Sequence, residues 1–349
     1  MVQPQTKVMD ETAPPQASRE GAVLEVKGLR TVFRQRGVDV SVVNDVNFDI
    51  RAGETVALVG ESGSGKSVSA LSVMRLVPSP KGRIAGGQVL LDGEDLLRLD
   101  EPAMRGIRGK TIGMVFQEPM TSLNPIHTIG RQLGEGLRIH LGLTGKAARE
   151  RSIELLDSVG IPRPAERLHA YPHQLSGGMC QRVMIAIALS CEPRILLADE
   201  PTTALDVTTQ AQILELMDAR ARALGTATLL ITHDLGIVAR YASRVNVMYA
   251  GRIVEQGEAR QLYDNPRHPY TRGLLESVPR LDRPRRQELP AIEGLPPSPG
   301  SLPQGCPFQP RCPFRQEICG QPQALREISP GRRVACIRAD ELSPFDGAA

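Results

Sequence analysis

Nothing in the sequence stays apolar long enough to cross a bilayer. The longest strongly apolar stretch, Val183 to Cys191, is interrupted by Ser190, whereas a spanning helix needs roughly 20 such residues. Any membrane contact is therefore expected to be peripheral. A secretory signal is missing too: the first twenty residues are polar, include Pro14 and Pro15 and have no apolar core. Residues 1–21 read as a disordered lead-in. A charge excess is also missing, because 42 Lys and Arg oppose 39 Asp and Glu for a formal charge of +3. That lacks the basic bias of a dedicated nucleic-acid binder, and no nucleic-acid partner is expected. No internal repeat is visible, so one copy of the central domain is expected rather than two in tandem.

A chain of 349 residues can hold one large domain with an appendage. From Val23 to Ile50 short runs alternate apolar and polar residues, predicting antiparallel strands. Thr55 to Val59 is a compact apolar run, then a glycine loop, then a helical pattern from Lys66 toward Leu76. Two more apolar runs, Arg194 to Ala198 and Thr228 to Thr232, read as buried parallel strands joined by helices. Between Glu118 and Leu175 only helical patterns appear, such as Gly145 to Val159, so a helical subdomain is expected over about 118–180. Beyond Leu281, Pro284, Pro290, Pro296, Pro297, Pro299 and Pro303 leave little room for long helices or central strands. The expected plan is an α/β domain over 22–280 and a loop-rich extension over 281–349.

Gly60-Glu-Ser-Gly-Ser-Gly65-Lys66-Ser67 matches the phosphate-cradling pattern G-x-x-x-x-G-K-[ST], in the strand–loop–helix setting that the motif requires. Its glycines let backbone N–H groups turn toward phosphate oxygens, and the helix after it presents a positive terminus. Gly60, Ser62, Gly63, Ser64, Gly65, Lys66, Ser67 and Val68 are the expected ATP-binding loop, with Lys66 reaching the β- and γ-phosphates and Ser67 ligating Mg²⁺. Asp199 ends a buried strand and fits the Mg²⁺-side carboxylate, and Glu200 next to it could polarise the attacking water. Gln117 and His233 each follow an apolar run, which predicts the same sheet edge for both.

Leu175-Ser176-Gly177-Gly178-Met179-Cys180-Gln181-Arg182 closely resembles the signature sequence of ATP-binding-cassette (ABC) ATPases. The order Lys66, Gln117, Ser176, Asp199-Glu200, Asp206, His233 is similar to that family's Walker A, Q-loop, signature, Walker B, D-loop and switch histidine. The resemblance implies the family's α/β P-loop fold: an antiparallel β subdomain, a parallel-sheet core and a helical subdomain. It implies that such domains pair head to tail, with Ser176, Gly177, Gly178 and Gln181 of one subunit serving the ATP of the other. It adds Gln117 to Ser67 and Asp199 around Mg²⁺, makes Glu200 and His233 catalytic, and stacks Phe33 on adenine, although such a Phe serves equally well as core. Cys180 departs from the family, which has Arg or another polar residue there.

Gln117-Glu-Pro-Met-Thr-Ser-Leu-Asn-Pro125 and Asn265-Pro-Arg-His-Pro-Tyr-Thr-Arg-Gly-Leu-Leu275 look like segments of the oligopeptide/dipeptide importer ATPases. That resemblance implies a second, different ATPase subunit and two transmembrane permease subunits, with an extracytoplasmic solute-binding protein acting indirectly. It places the chain on the cytoplasmic face of the inner membrane.

Cys306-x5-Cys312-x6-Cys319-x16-Cys336 could enclose Zn²⁺ or an iron–sulfur cluster. The gaps exceed those of common zinc pairs, and the importer resemblance also points to a [4Fe–4S] cluster. Cys180 and Cys191 read as buried small apolar residues, and His127, His140, His169, His173 and His268 as surface or capping residues. Two other readings remain: a non-transport ABC ATPase associated with nucleic acid or ribosomes, which the missing coiled-coil insertion and single cassette disfavour, and a redox-sensing regulatory subunit, which the intact Lys66, Asp199, Glu200 and His233 disfavour.

Overall fold

The structure, a computed structural model, describes residues 21–203, 205–278 and 291–342. Residues 1–20 of the lead-in and the expected boundary near 281 lie outside the described residues.

The alternating segment forms Ala22–Gln35 (β1) and Val38–Arg51 (β2), paired antiparallel with Val26 opposite Phe48. Thr55–Val59 (β3) follows, then Lys66–Val73 (α1), Gly82–Leu91 (β4), Glu94–Asp95 (β5), Glu101–Ile107 (α2) and Ile112–Val115 (β6). The first helix stops short of Leu76 because Arg75 takes a left-handed φ of 52°, which breaks the helical ladder, while its guanidinium donates to the Leu99 carbonyl at 2.6 Å. Strands in the order β2-β1-β4-β5 make the antiparallel sheet.

Helices then take over: Pro119–Ser122 (α3), Ile129–Leu141 (α4), Gly145–Ser158 (α5), Pro164–Arg167 (α6) and Gly177–Leu189 (α7), with no strand described across 118–175. Helix α4 starts where the Thr128 hydroxyl accepts from the Arg131 N–H, ends at left-handed Gly142, and buries Ile129, Leu133 and Leu137. That i, i+4, i+8 stripe is a core-facing helix surface.

The chain returns to the sheet through Ile195–Asp199 (β7), Val207–Leu224 (α8), Ala227–Thr232 (β8), Leu235–Tyr241 (α9), Arg244–Tyr249 (β9) and Arg252–Glu258 (β10). Ala259–Asp264 (α10) and Pro269–Glu276 (α11) follow, and the extension adds Arg326–Ser329 (β11) and Arg332–Val334 (β12). The large sheet runs β11-β12-β10-β9-β3-β8-β7-β6. From β9 to β6 it is parallel, and its alternating side chains fill three cores, the third taking Ala57, Val59, Val245 and Val247. Val56, Leu58, Leu197 and Ile231 face the antiparallel sheet, while Leu196, Ala198 and Leu230 face the helices. Burial on both faces explains why these strands read as unbroken apolar runs.

The extension is less detached than its prolines suggest. Strand β12 pairs with β10, Glu255 opposite Val334, with β11 outside it at the sheet edge, and neither added strand contains a proline to interrupt the ladder. Phe308, 1% exposed, packs edge-on to Tyr249 at 5.3 Å between ring centres and tilted to Tyr270 at 5.4 Å. Glu255, fully buried, accepts from the Arg267 and His268 amides at 2.8 Å each and from Arg332 at 2.9 Å. Breaking such a buried pair strands the other charge. Glu255→Ala is therefore expected to lower unfolding stability by about 3–5 kcal/mol in urea titration; a loss near zero would show that Arg332 finds solvent or another acceptor.

Candidate functional site

Strand β3 delivers the chain to Gly60, where an added Cβ would meet the Met248 carbonyl oxygen at 2.1 Å. Only glycine fits that approach. At Gly65 the backbone is left-handed, φ 107°, and a Cβ would fall 2.8 Å from the Val42 carbonyl. Gly65 also caps α1 with no side chain to satisfy the first N–H groups, and no acidic residue lies in the first turn. A helix terminus left in that condition favours an anion.

Lys66 is 4% exposed and donates from Nζ to the Gly60 and Glu61 carbonyls at 2.8 and 3.0 Å. Burial holds its ammonium below the usual lysine range, opposed by Glu200, Asp199 and Glu61. Ser64 Oγ is buried with no partner, an orphan that a phosphate oxygen would satisfy. Ser62 and Gly63 are exposed, and Ser67 and Val68 are half-buried. The loop thus fits a nucleotide phosphate by its orphaned hydroxyl, its trapped ammonium and its uncapped helix.

The parallel register brings the rest to the same edge. Val59 lies opposite Thr232, Asp199 opposite Ile231 and Val115 opposite Ala198, so the residues that follow these strands emerge together. Ser67 Oγ donates to Asp199 Oδ1 at 2.9 Å. Two oxygen donors in contact suit a hard cation such as Mg²⁺. Burial lifts the Asp199 carboxyl above its ordinary range, against the Ser67 bond and Lys66, and with Glu200 adding to the rise.

Glu200 is the meeting point. Gln117 Nε2 and Thr203 Oγ1 donate to its Oε2 at 3.1 Å each, and its Oε1 lies 3.3 Å from His233 Nδ1 and 3.9 Å from Lys66 Nζ. Its φ of 43° is left-handed, a conformation costing a non-glycine residue of order 1–3 kcal/mol. The surrounding contacts hold it there.

Other expected residues stand apart from this cluster. Phe33 sits half-buried on β1, and a Cβ on Gly82 would meet its ring at 2.8 Å. Ser176 caps α7 by accepting from the Met179 N–H, and Ser176 and Gly177 are exposed with Gly178 half-buried. Gln181 is 1% exposed, its side chain packed inward. Asp206 caps α8, accepting from the Thr209 N–H and hydroxyl at 3.0 and 2.7 Å. Cys180 and Cys191 are buried, and burial raises both thiols.

A second constellation lies in the extension. Cys306, Cys312, Cys319 and Cys336 line one cavity together with His268 and Phe308. Burial pushes the Cys306, Cys312 and Cys336 thiols up to about 11, so they are protonated until a cation stabilises the thiolates. Among the described residues no three His, Cys, Asp or Glu side chains are set to hold a metal ion. The donor chemistry fits a thiolate-bound group, whereas the thiols as placed do not close a ligand shell.

Three contributors were not singled out from the sequence. His268 caps α11 through Nδ1, as expected, yet it is wholly buried, its Nε2 is unpartnered, and burial pushes it down to about 3. Arg311 and Tyr270 both contact Glu61, which reads only as a free position within the glycine motif. The signal for His268 and Tyr270 was their place in the Asn265–Leu275 stretch.

Two family models match the chain: ABC transporter over residues 43–203, and the oligopeptide/dipeptide transporter C-terminal region over residues 254–319. A Brucella melitensis protein provisionally named a peptide import ATP-binding protein is 53% identical, covering 92% of this chain and 98% of that one. The oligopeptide transport ATP-binding protein OppD of Salmonella typhimurium is 49% identical over 95% of this chain and 98% of its own length. Among solved structures, a dimeric ATP-binding cassette in a post-hydrolysis state bound to ADP and Pi superposes with a TM-score of 0.61 at 29% identity, covering 68% of this chain and 99% of that one. CbiO1 from Clostridium perfringens, part of the ABC transporter complex CbiONQ, gives 0.59 at 27% identity, covering 70% and 91%. With its glycine loop, its two strand-end acids and these relatives, the chain belongs to the ABC transporter ATPases, in the group that carries the oligopeptide/dipeptide transporter C-terminal region.

Proposed function

We propose that the chain binds and hydrolyses ATP to drive import of di- or oligopeptides through membrane partners. The observation that carries this reading is the convergence of Lys66, Gln117, Thr203 and His233 on Glu200 beside the Ser67–Asp199 pair. ATP supplies the phosphoryl group, and a bound Mg²⁺ would supply positive charge to its phosphates. Gly60 to Val68 bind the phosphates, with Lys66 leaving the loop carbonyls for them. Ser67, Asp199 and Gln117 would hold Mg²⁺. Glu200 orients the attacking water and accepts its proton, and His233 stands where it can bind the transferred phosphoryl oxygens. Phe33 stacks on adenine.

The signature residues Ser176, Gly177 and Gly178 serve the ATP of a second, different ATPase subunit in a head-to-tail pair, with Asp206 at the interface. The exposure of Ser176 and Gly177 at the start of α7 supports this. Met120 and Ile126, 49% and 76% exposed after Gln117, support docking of two permease subunits on that segment. Among the described residues no helix is long and apolar enough to cross a membrane, which is compatible with a peripheral place on the cytoplasmic face of the inner membrane. A solute-binding protein on the far side would supply peptide. The four cysteines of the extension would hold a [4Fe–4S] cluster, or failing that Zn²⁺, a reading supported by their common cavity. Binding requires deprotonation of the thiols.

Glu200→Gln should keep ATP affinity but cut turnover about 100-fold or more, trapping a closed ATP-bound pair detectable by size-exclusion chromatography. Normal turnover would remove Glu200 from the proposed role. Peptide-stimulated hydrolysis in proteoliposomes with permease subunits and a peptide-loaded binding protein tests the importer reading; indifference to every membrane partner would favour the non-transport one.

Asp199 permits a pH test, because a folded carboxyl lifted above its unfolded value costs stability once ionised and costs none when protonated in both states. Asp199→Asn should therefore raise the melting temperature of the nucleotide-free chain at pH 7. The advantage should shrink as the pH falls toward 4, and the added stability from ATP with Mg²⁺ should vanish. Anaerobic purification should yield about four irons per chain, lost in Cys306→Ser; one zinc instead would select the other metal.

A further inference from the structure

Glu61 is held from three directions. Its carbonyl accepts from Lys66 Nζ at 3.0 Å, its amide donates to the Tyr270 hydroxyl at 2.8 Å, and its carboxylate takes both guanidinium nitrogens of Arg311 at 2.7 and 2.9 Å. Two of these three holds come from outside the nucleotide loop. Arg311 lies between Cys306 and Cys312 and its side chain is 5% exposed. Its remaining donors reach the Glu293 and Ile292 carbonyls at 3.0 and 3.2 Å, and its guanidinium sits 5.9 Å from the ring centres of Tyr249 and Phe308. A planar, bidentate arginine wedged between aromatic rings fixes both position and orientation.

Tyr270 leads back to the same cavity. Its amide donates to His268 Nδ1 at 3.1 Å, and His268 lines the cysteine cavity with its Nε2 buried and unpartnered. One path thus runs from the cavity through Arg311, and a second through His268 and Tyr270. Both end on the residue beside Gly60. The glycine loop between Gly60 and Gly65 has little side-chain packing of its own, so contacts from outside decide how far it is preorganised.

We propose that the cysteine box is a positioning element of the ATP site: through Arg311 and Tyr270 acting on Glu61, what the four thiols hold sets the affinity for ATP. This rests on the nucleotide reading of the loop and on the cavity having an occupant. Drawing the thiols onto a bound group shifts the turn from Cys306 to Cys312, and with it Arg311. His268 Nε2–H, unpartnered and lining the same cavity, would gain an acceptor in a cysteine thiolate, which would anchor the helix start that carries Tyr270. Coupling between two sites is reciprocal, so ATP must stabilise the occupied box by the same factor.

The test uses the full chain purified anaerobically, with ATP–Mg²⁺ affinity from calorimetry and bound iron from a chemical assay. Arg311→Met and Tyr270→Phe are expected to weaken ATP binding about tenfold each. The charge exchange of Arg311→Glu with Glu61→Arg should recover most of the loss. Removing iron with a chelator should weaken ATP binding in the unmutated chain but hardly further in Arg311→Met, and ATP should slow iron release by the matching factor. Unchanged affinity in both variants, with lowered melting temperatures, would reduce Arg311 and Tyr270 to structural struts and overturn the proposal. If the chain binds ATP but carries neither iron nor zinc, the cavity has no occupant and the proposal is overturned while the nucleotide reading stands. An unmutated chain that binds no ATP removes the nucleotide reading and the proposal together.

Discussion

The site depends on one constraint, the parallel register of β3, β8, β7 and β6. Hydrogen bonding sets Val59 level with Thr232 and Asp199 level with Ile231, so the backbone leaves four strands at one edge. Gly60, Gln117, Glu200 and His233 are far apart in sequence and become neighbours for that reason alone. Sheets of this kind place ligands outside the carboxyl ends of their strands. Apolar burial on both faces locks the register, since a slip by one residue would exchange Leu197 and Leu196 between two different cores.

Charge is concentrated at that edge at a cost to the empty protein. Lys66 is buried among carbonyls, Asp199 is buried beside a hydroxyl, and Glu200 occupies a left-handed backbone position. Each is unfavourable by itself: burial disfavours both charged forms, and the backbone at Glu200 is strained. Together they form a preorganised set of positive and negative groups spaced for a polyphosphate and a divalent cation. Stability given up at a site of this sort is regained in the apolar cores.

The extension belongs to the same mechanical unit. Phe308 completes a three-ring cluster with Tyr249 and Tyr270, and Glu255 gathers Arg332 and two backbone amides in the interior. Those contacts explain how the described residues of the extension, 291–342, are held without long helices. They also carry the cysteine loop to within hydrogen-bonding distance of the nucleotide loop.

Much of this protein was legible in its residues. Alternation marked β1 and β2, unbroken apolar runs marked the buried strands, and the glycine motif with Lys66 and Ser67 marked the phosphate loop, because each rests on local periodicity or on chemistry confined to a few neighbours. Asp199, Glu200, Gln117 and His233 could be nominated from their places after apolar runs. Their convergence on Glu200, the orphaned Ser64 hydroxyl and the inward packing of Gln181 depend on three-dimensional register and were decided by tertiary structure. The same holds for His268, whose burial no local pattern announces, and for Arg311 and Glu61, an ion pair between residues 250 positions apart. Sequence determined which chemical groups were available and which elements would carry them. Only packing decided which of them meet, because contacts across a fold are set by sheet order and side-chain burial that no short window of residues contains.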